Sequence, residues 1–320
     1  MKRFALIGVG GYIAPRHLKA IKDTGSTLVA ALDKHDSVGI LDSYFPTADF
    51  FTEFERFDRH LEKLKRMQGK EAVDYISICS PNYLHDAHVR FGLRIGANVI
   101  CEKPLVLNPW NIEALNEIEK ESKGKINTIL QLRLHPAIIE LKNKIQAADK
   151  DKVHDIDLTY ITSRGHWYLV SWKGDLEKSG GVATNIGIHF FDMLTWIFGD
   201  VQENIVHISQ PKRAAGFLRL EKARVRWFLS LERNDLPVQP IQGKPSTYRS
   251  ITIDGQNLEF SDGFDNLHTE SYKNILAGNG FGTNDVMESI KIASQIRNTA
   301  PIGLKGDYHP MLNSINIKDE

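Results

Sequence analysis

Cysteine is nearly absent from these 320 residues. Cys79 and Cys101 each end an apolar run, and neither has a neighbour at disulfide-framework or zinc spacing. A stapled secreted scaffold and a cysteine zinc centre are therefore excluded, and both thiols are expected to be buried and reduced. Net charge is also missing, because 40 Lys and Arg balance 40 Asp and Glu. Charged runs such as Glu62-Lys63-Leu64-Lys65-Arg66 mix signs or are broken by apolar residues, which argues against a nucleic-acid partner. No run is long enough to cross a bilayer, and there is no internal repeat or low-complexity tract. Met1-Lys2-Arg3 leads at once into a short strand and glycines rather than a long apolar run, so a soluble, cytoplasmic protein without a membrane partner is expected.

Short apolar runs alternate with amphipathic segments over residues 1–124, the pattern of a doubly wound parallel α/β sheet of Rossmann type. Strands are expected at 4–7, 28–32, 49–52, 73–79 and 98–101, with helices over 13–23, 55–67 and 83–95. Another helix follows Asn108 with Pro109 at its first position. The domain boundary is placed after Lys123-Gly124, with a strand over 126–132 and a helix from His135-Pro136 opening the remainder. Residues 125–320 carry longer alternating segments at 154–162, 201–209, 223–231, 248–253 and 257–260, and helices at 186–198 and 284–298. This predicts an α+β domain with an open, mostly antiparallel sheet.

Gly8, Gly10 and Gly11 follow the first strand, where a glycine turn lets backbone amides approach a pyrophosphate at a helix amino terminus. The usual spacing would put a small residue at Ile13; a one-residue insertion brings Gly11 and Ala14 into register instead, with Tyr12 in the turn. Asp33 ends the second strand, placed to accept from ribose hydroxyls and to repel a 2′-phosphate, which favours NAD over NADP. Ser80 and Asn82 follow the fourth strand, where amide and hydroxyl groups reach a dinucleotide. His85 and His88 share a helix face, but with no third ligand no metal site is expected. His85 is read as a supporting residue and His88 as structural.

Lys103, in Cys101-Glu102-Lys103-Pro104, stands at the carboxyl edge of this sheet. Oxidising an alcohol needs a base for the hydroxyl proton while hydride leaves carbon. An amine can serve once burial and a positive nicotinamide disfavour its charged form. A second cluster, Gly180-Gly181-Val182-Ala183-Thr184-Asn185-Ile186-Gly187-Ile188-His189, puts Asn185 at an expected helix cap with His189 four positions on, and Asp192 placed to fix the imidazole tautomer.

The glycine turn, Glu102-Lys103-Pro104 and the G-G-x-x-x-[D/N]-x-G-x-H segment together resemble the glucose-fructose oxidoreductase, inositol dehydrogenase and MocA family along nearly the whole chain. The resemblance implies a Rossmann domain, then an α+β domain whose open sheet mediates homo-oligomerisation as dimer or tetramer, with Lys103 and His189 as the catalytic pair. Most relatives carry aspartate where this chain has Asn185. Gly11 to His17, Ile129 to Arg133, Thr159 to Gly165 and Tyr248 to Ser250 resemble the WlbA/WbpB subgroup of O-antigen synthesis, which carries asparagine at that position. That subgroup oxidises the 3-hydroxyl of UDP-N-acetyl-2-amino-2-deoxy-D-glucuronate, and some members reoxidise bound NADH with 2-oxoglutarate. For such a substrate, Arg133, Arg164 and Arg249 are candidates for the carboxylate, Gln131 and Asn185 for hydroxyl or N-acetyl groups, and Trp167, Tyr168 and Trp172 for ring faces. Glu102 and Gln131 join the cofactor candidates. The rivals are an inositol or free-sugar dehydrogenase of the same family and a non-enzymatic dinucleotide-sensing regulator.

Overall fold

The computed structural model describes residues 1–67, 72–149, 151–237, 247–258 and 266–315. The chain divides into two compact units, 1–134 with 265–287, and 135–264 with 288–320. The first unit thus runs past the expected boundary at residue 124.

In the first unit, β1 (Arg3–Ile7), β2 (Thr27–Leu32), β3 (Asp49–Phe51), β4 (Tyr75–Ile78), β5 (Asn98–Cys101) and β6 (Ile126–Thr128) form one parallel sheet in the order β3-β2-β1-β4-β5-β6. The strands are buried on both faces, which is why they read as continuous apolar runs. Helices α1 (Ala14–Asp23), α2 (Ile40–Tyr44), α3 (Phe54–Arg66), α4 (His85–Ile95) and α5 (Pro109–Glu121) connect them. Asn108 takes the extended N-cap position of α5 ahead of Pro109. The expected strand over 126–132 stops at Thr128 and turns into a 3-10 helix at Gln131–Leu134.

The second unit begins with α6 (Pro136–Ala147), capped by the His135 imidazole, which accepts from the Ala137 amide at 3.2 Å. Two short helices, α7 (Trp167–Val170) and α8 (Leu176–Ser179), precede α9 (Ile188–Phe198). The sheet, ordered β12-β11-β7-β10-β9-β8, holds β7 (His154–Thr162), β8 (Val201–Ser209), β9 (Arg213–Leu220), β10 (Ala223–Ser230), β11 (Thr247–Ile253) and β12 (Gln256–Asn257). Only β7 and β10 pair parallel among the described strands; the rest is antiparallel. Of the expected strand over 257–260, residues 259 and 260 lie outside the described residues. Helix α9 packs one face of the sheet through Phe191, whose ring meets Trp227 edge-on at 5.3 Å. Trp227 is fully buried, and burying such a side chain contributes roughly 3 kcal/mol.

Two further helices follow. α10 (Leu267–Leu276) returns to the first unit and packs on α1, placing Tyr272 and Ile275 in the core with Phe4, Leu18 and Leu28. α11 (Thr283–Asn298) starts in the first unit and ends in the second. No helix among the described residues is long and apolar enough to cross a membrane.

Candidate active site

All the candidate cofactor residues of the first unit lie just beyond carboxyl ends of parallel strands: Gly8 after β1, Asp33 after β2, Ser80 after β4, Glu102-Lys103 after β5 and Gln131 after β6. In an open α/β sheet this edge, where strand order reverses, is where ligands bind. Gly8 has φ +88°, and a Cβ there would stand 2.7 Å from the Cys79 carbonyl carbon and the Ser80 nitrogen, so only glycine fits. The Gly11 amide donates to Gly8 O at 3.1 Å, and Ala14, fully buried, begins α1. This is the shifted register of small residues. Ile13 caps the helix against the core, and Tyr12 is 88% exposed. Asp33 accepts from the Gly10 amide at 2.9 Å and from the His35 amide at 3.0 Å.

Gln131 Oε1 is buried without a hydrogen-bond partner, an acceptor that a ligand's N–H or O–H would satisfy. The close-approach glycines, the acidic group after β2 and this unsatisfied amide fit a dinucleotide. Ser80 and Asn82 are both buried; Ser80 Oγ bonds His88 Nδ1 at 2.8 Å. His85 is held by backbone carbonyls at the same edge. Its ring nitrogens face the carbonyls of Pro104 at 2.6 Å and Ser80 at 2.8 Å, tying the end of β4 to the loop after β5. Burial lowers its pKa, although both carbonyls favour the charged ring.

Lys103 is half-buried between buried Glu102 and buried Pro104. Glu102, expected to meet the cofactor, turns inward instead. Its Oε1 accepts from His17 Nε2 at 2.9 Å and His268 Nε2 at 3.0 Å, and its Oε2 from the Lys103 amide at 3.2 Å. Burial alone raises a carboxyl's pKa, but the two imidazole donors outweigh it and hold Glu102 well below the usual range. A carboxylate only accepts, so His17 carries its proton on Nε2 and accepts a hydrogen bond at Nδ1 from the Tyr272 hydroxyl, 2.8 Å away. Tyr272 in turn bonds Ser77 Oγ at 2.6 Å. Burial lowers the pKa of His17 and raises the thiols of Cys79 and Cys101 well above their ordinary value. No local motif links His17, Glu102 and His268, so the sequence reading missed the cluster; it exists because α10 returns to α1.

Arg133 was expected to grip a substrate carboxylate, and the structure commits it elsewhere. Its guanidinium is buried, donates to Asp285 Oδ1 at 2.9 Å and Asp285 O at 2.7 Å, and lies over the Phe281 ring.

In the second unit the expected cap at Asn185 is replaced by a π-helical turn, Ala183–Gly187, that runs straight into α9. Gly180 and Gly181 both have φ +79° at the turn that starts it, and Thr184 Oγ1 donates back to Gly180 O at 2.7 Å. Gly187 lets the helix lie against Leu229, whose Cδ1 would be 2.5 Å from a Cβ at that position. From Val182 to Phe191 only Asn185 and His189 keep partial exposure, so the two polar groups share the one open stripe of an otherwise buried segment. Asn185 Nδ2 donates to the Tyr168 hydroxyl. Arg164 is exposed, Trp172 is half-buried with the Lys173 ammonium 4.2 Å from its ring centroid, and the Arg249 guanidinium lies 5.6 Å from the Tyr160 ring centroid.

Sheet order, glycine turn and acidic strand end define a dinucleotide-binding oxidoreductase fold. Residues 2–129 match the oxidoreductase family with NAD-binding Rossmann fold, Gfo/Idh/MocA, and residues 143–257 match that family's C-terminal alpha/beta domain. The chain belongs to the Gfo/Idh/MocA oxidoreductase family. It is similar to the WlbA (WbpB) dehydrogenase of Thermus thermophilus, solved with NAD and alpha-ketoglutarate: 50% identity, TM-score 0.92, covering 97% of this chain and 99% of that one. The same enzyme solved with NAD and UDP-GlcNAcA gives 51% identity, TM-score 0.91 and the same coverage. Among curated proteins, inositol 2-dehydrogenase of Rhizobium meliloti is 22% identical over 198 residues, 62% of this chain. The chain spans about half the length of the curated relatives it matches, 55% for this one and 48% for the oxidoreductase YteT of Bacillus subtilis.

Proposed function

We propose that this protein is an NAD-dependent dehydrogenase that oxidises the 3-hydroxyl of UDP-N-acetyl-2-amino-2-deoxy-D-glucuronate to a ketone, in the synthesis of O-antigen or related lipopolysaccharide sugars. The observation that carries the reading is 50% identity over almost the full chain to a Thermus enzyme whose crystals hold NAD with UDP-GlcNAcA or with alpha-ketoglutarate. When bound, NAD supplies the hydride acceptor. Gly8, Gly10, Gly11 and Ser80 would line its pyrophosphate, Asp33 would accept from its ribose hydroxyls, and Gln131 presents an unsatisfied acceptor.

Lys103 accepts the proton of the 3-hydroxyl as hydride leaves C3, and His189 assists by passing that proton onward. Arg164 pairs with the sugar carboxylate, Asn185 bonds a hydroxyl or the N-acetyl group, and Trp172 offers an apolar face. 2-Oxoglutarate would be the second substrate, a two-electron acceptor that leaves as the 2-hydroxy acid. The second domain binds substrate and mediates a homo-oligomer, and the protein works in the cytoplasm.

A substrate panel tests the reading. With NAD present, absorbance at the NADH wavelength, or turnover with added 2-oxoglutarate, should appear with the UDP-sugar acid and not with myo-inositol or free glucuronate. Reduction of NAD by inositol alone would assign the chain to the inositol branch of the family. Tight NAD binding with turnover of no sugar would make it a dinucleotide sensor.

A further inference from the structure

We propose that Glu102 is a positioning residue for Lys103, and that His17 and His268 hold it in that role. The proposal rests on the assignment of Lys103 as the base. Residues 17 and 268 lie near opposite ends of the sequence, yet α1 and α10 deliver both Nε2 atoms to the same carboxylate oxygen. The other oxygen takes the backbone amide of Lys103. A buried carboxylate is costly unless it is well supplied with donors, and here three N–H groups serve its two oxygens. That arrangement is more than packing requires, because an apolar residue at 102 would fill the same space without a desolvated charge. What the charge adds is an acceptor that anchors the backbone amide of the reactive lysine.

The surroundings keep that anion localised. From α1 it faces His17, with Arg16 adjacent; from α10, His268 and Tyr272; from β4 and β5, Cys79 and Cys101; and from α4, His85. Burial keeps both thiols and the Tyr272 hydroxyl protonated, so none of the three adds a competing negative charge. Glu102 therefore sets where the stem of Lys103 starts. The same three side chains also have the composition of a two-histidine, one-carboxylate metal set, their ligand atoms lying within 4.8 Å of one another.

The test uses the NAD-loaded protein. His268→Leu and His268→Gln separate packing from donation to Glu102. Loss of the donor in His268→Leu lowers kcat roughly tenfold with little change in KM, and the amide donor of His268→Gln recovers most of the rate. Equal rates in the two His268 variants overturn the positioning role. Full turnover by Lys103→Ala would instead overturn the base assignment. One tightly bound zinc per chain by elemental analysis, lost with activity on chelation, would make the cluster a metal centre and overturn the proposal.

Discussion

The Gly10 amide donates to the Asp33 carboxylate across 2.9 Å, so the glycine turn after β1 is closed onto the end of β2. Asp33 thereby stands fixed at the edge where an adenosine ribose would bind. Asp33→Ser should weaken NAD by about 10- to 100-fold, the range for losing a hydrogen bond to a charged group, and narrow the preference over NADP. Titration of both cofactors by fluorescence checks it; an unchanged NAD/NADP ratio would remove Asp33 from the ribose.

Gly8 bears on the same surface. Gly8→Ala places a Cβ 2.7 Å from the Cys79–Ser80 peptide at a φ of +88°, a conformation that costs an L-residue about 1–2 kcal/mol before any clash. The expected outcome is a lowered unfolding midpoint and NAD binding weakened more than tenfold, both read by thermal shift with and without NAD.

Two histidines make stability depend on pH. Burial lowers His88 and His309 to about 4. The His309 geometry agrees, since Nδ1 accepts the Met311 amide at 3.1 Å and so carries no proton. An unfolded histidine takes up its proton near 6.5, so protonation favours the unfolded chain. The stability from each is complete above that pH, is lost as pH falls toward 4, and levels off below. Each contributes up to about 3 kcal/mol. Urea midpoints should fall steadily from pH 7 to pH 4, and His88→Gln with His309→Gln should flatten the slope; an unchanged slope in the double variant would contradict the assignment.

Arg133 and Arg164 separate structure from binding. Arg133→Met removes a buried guanidinium from the part-exposed Asp285 and should lower stability by about 1–2 kcal/mol while sparing KM. Arg164→Ala should raise KM for the UDP-sugar acid by about tenfold or more without altering the melting temperature. Steady-state kinetics beside melting curves distinguish the two; a raised KM in Arg133→Met would restore it to the substrate site.

Much of the fold was legible because periodicity is local. The strands of the parallel sheet and α1, α3 and α4 fall within a few residues of their expected positions, since two-sided burial writes continuous apolar runs and one-sided burial writes helical stripes. β9 was missed because Arg-Ala-Ala-Gly-Phe-Leu-Arg-Leu does not alternate: nearly every position is buried, and Gly216 lies so close to Trp227 that a Cβ would come within 2.5 Å of its ring. α10 was missed because its polar residues serve the interior of the first unit, and nothing near residue 268 in sequence announces a partner at residue 17. The same gap concealed the inward turn of Glu102. Nothing near Arg133 in sequence announces Asp285, its partner 152 residues away. The π turn at Ala183–Gly187 preserved the reading of Asn185 and His189 as a pair while replacing the cap from which that reading started.

Single-turnover hydride transfer by Lys103→Ala, with saturating NAD and the UDP-sugar acid, tests the central assignment most directly. The account predicts a rate lower by about 10²- to 10⁴-fold, the usual contribution of a general base, with NAD affinity preserved. A rate equal to that of the unaltered enzyme would contradict it.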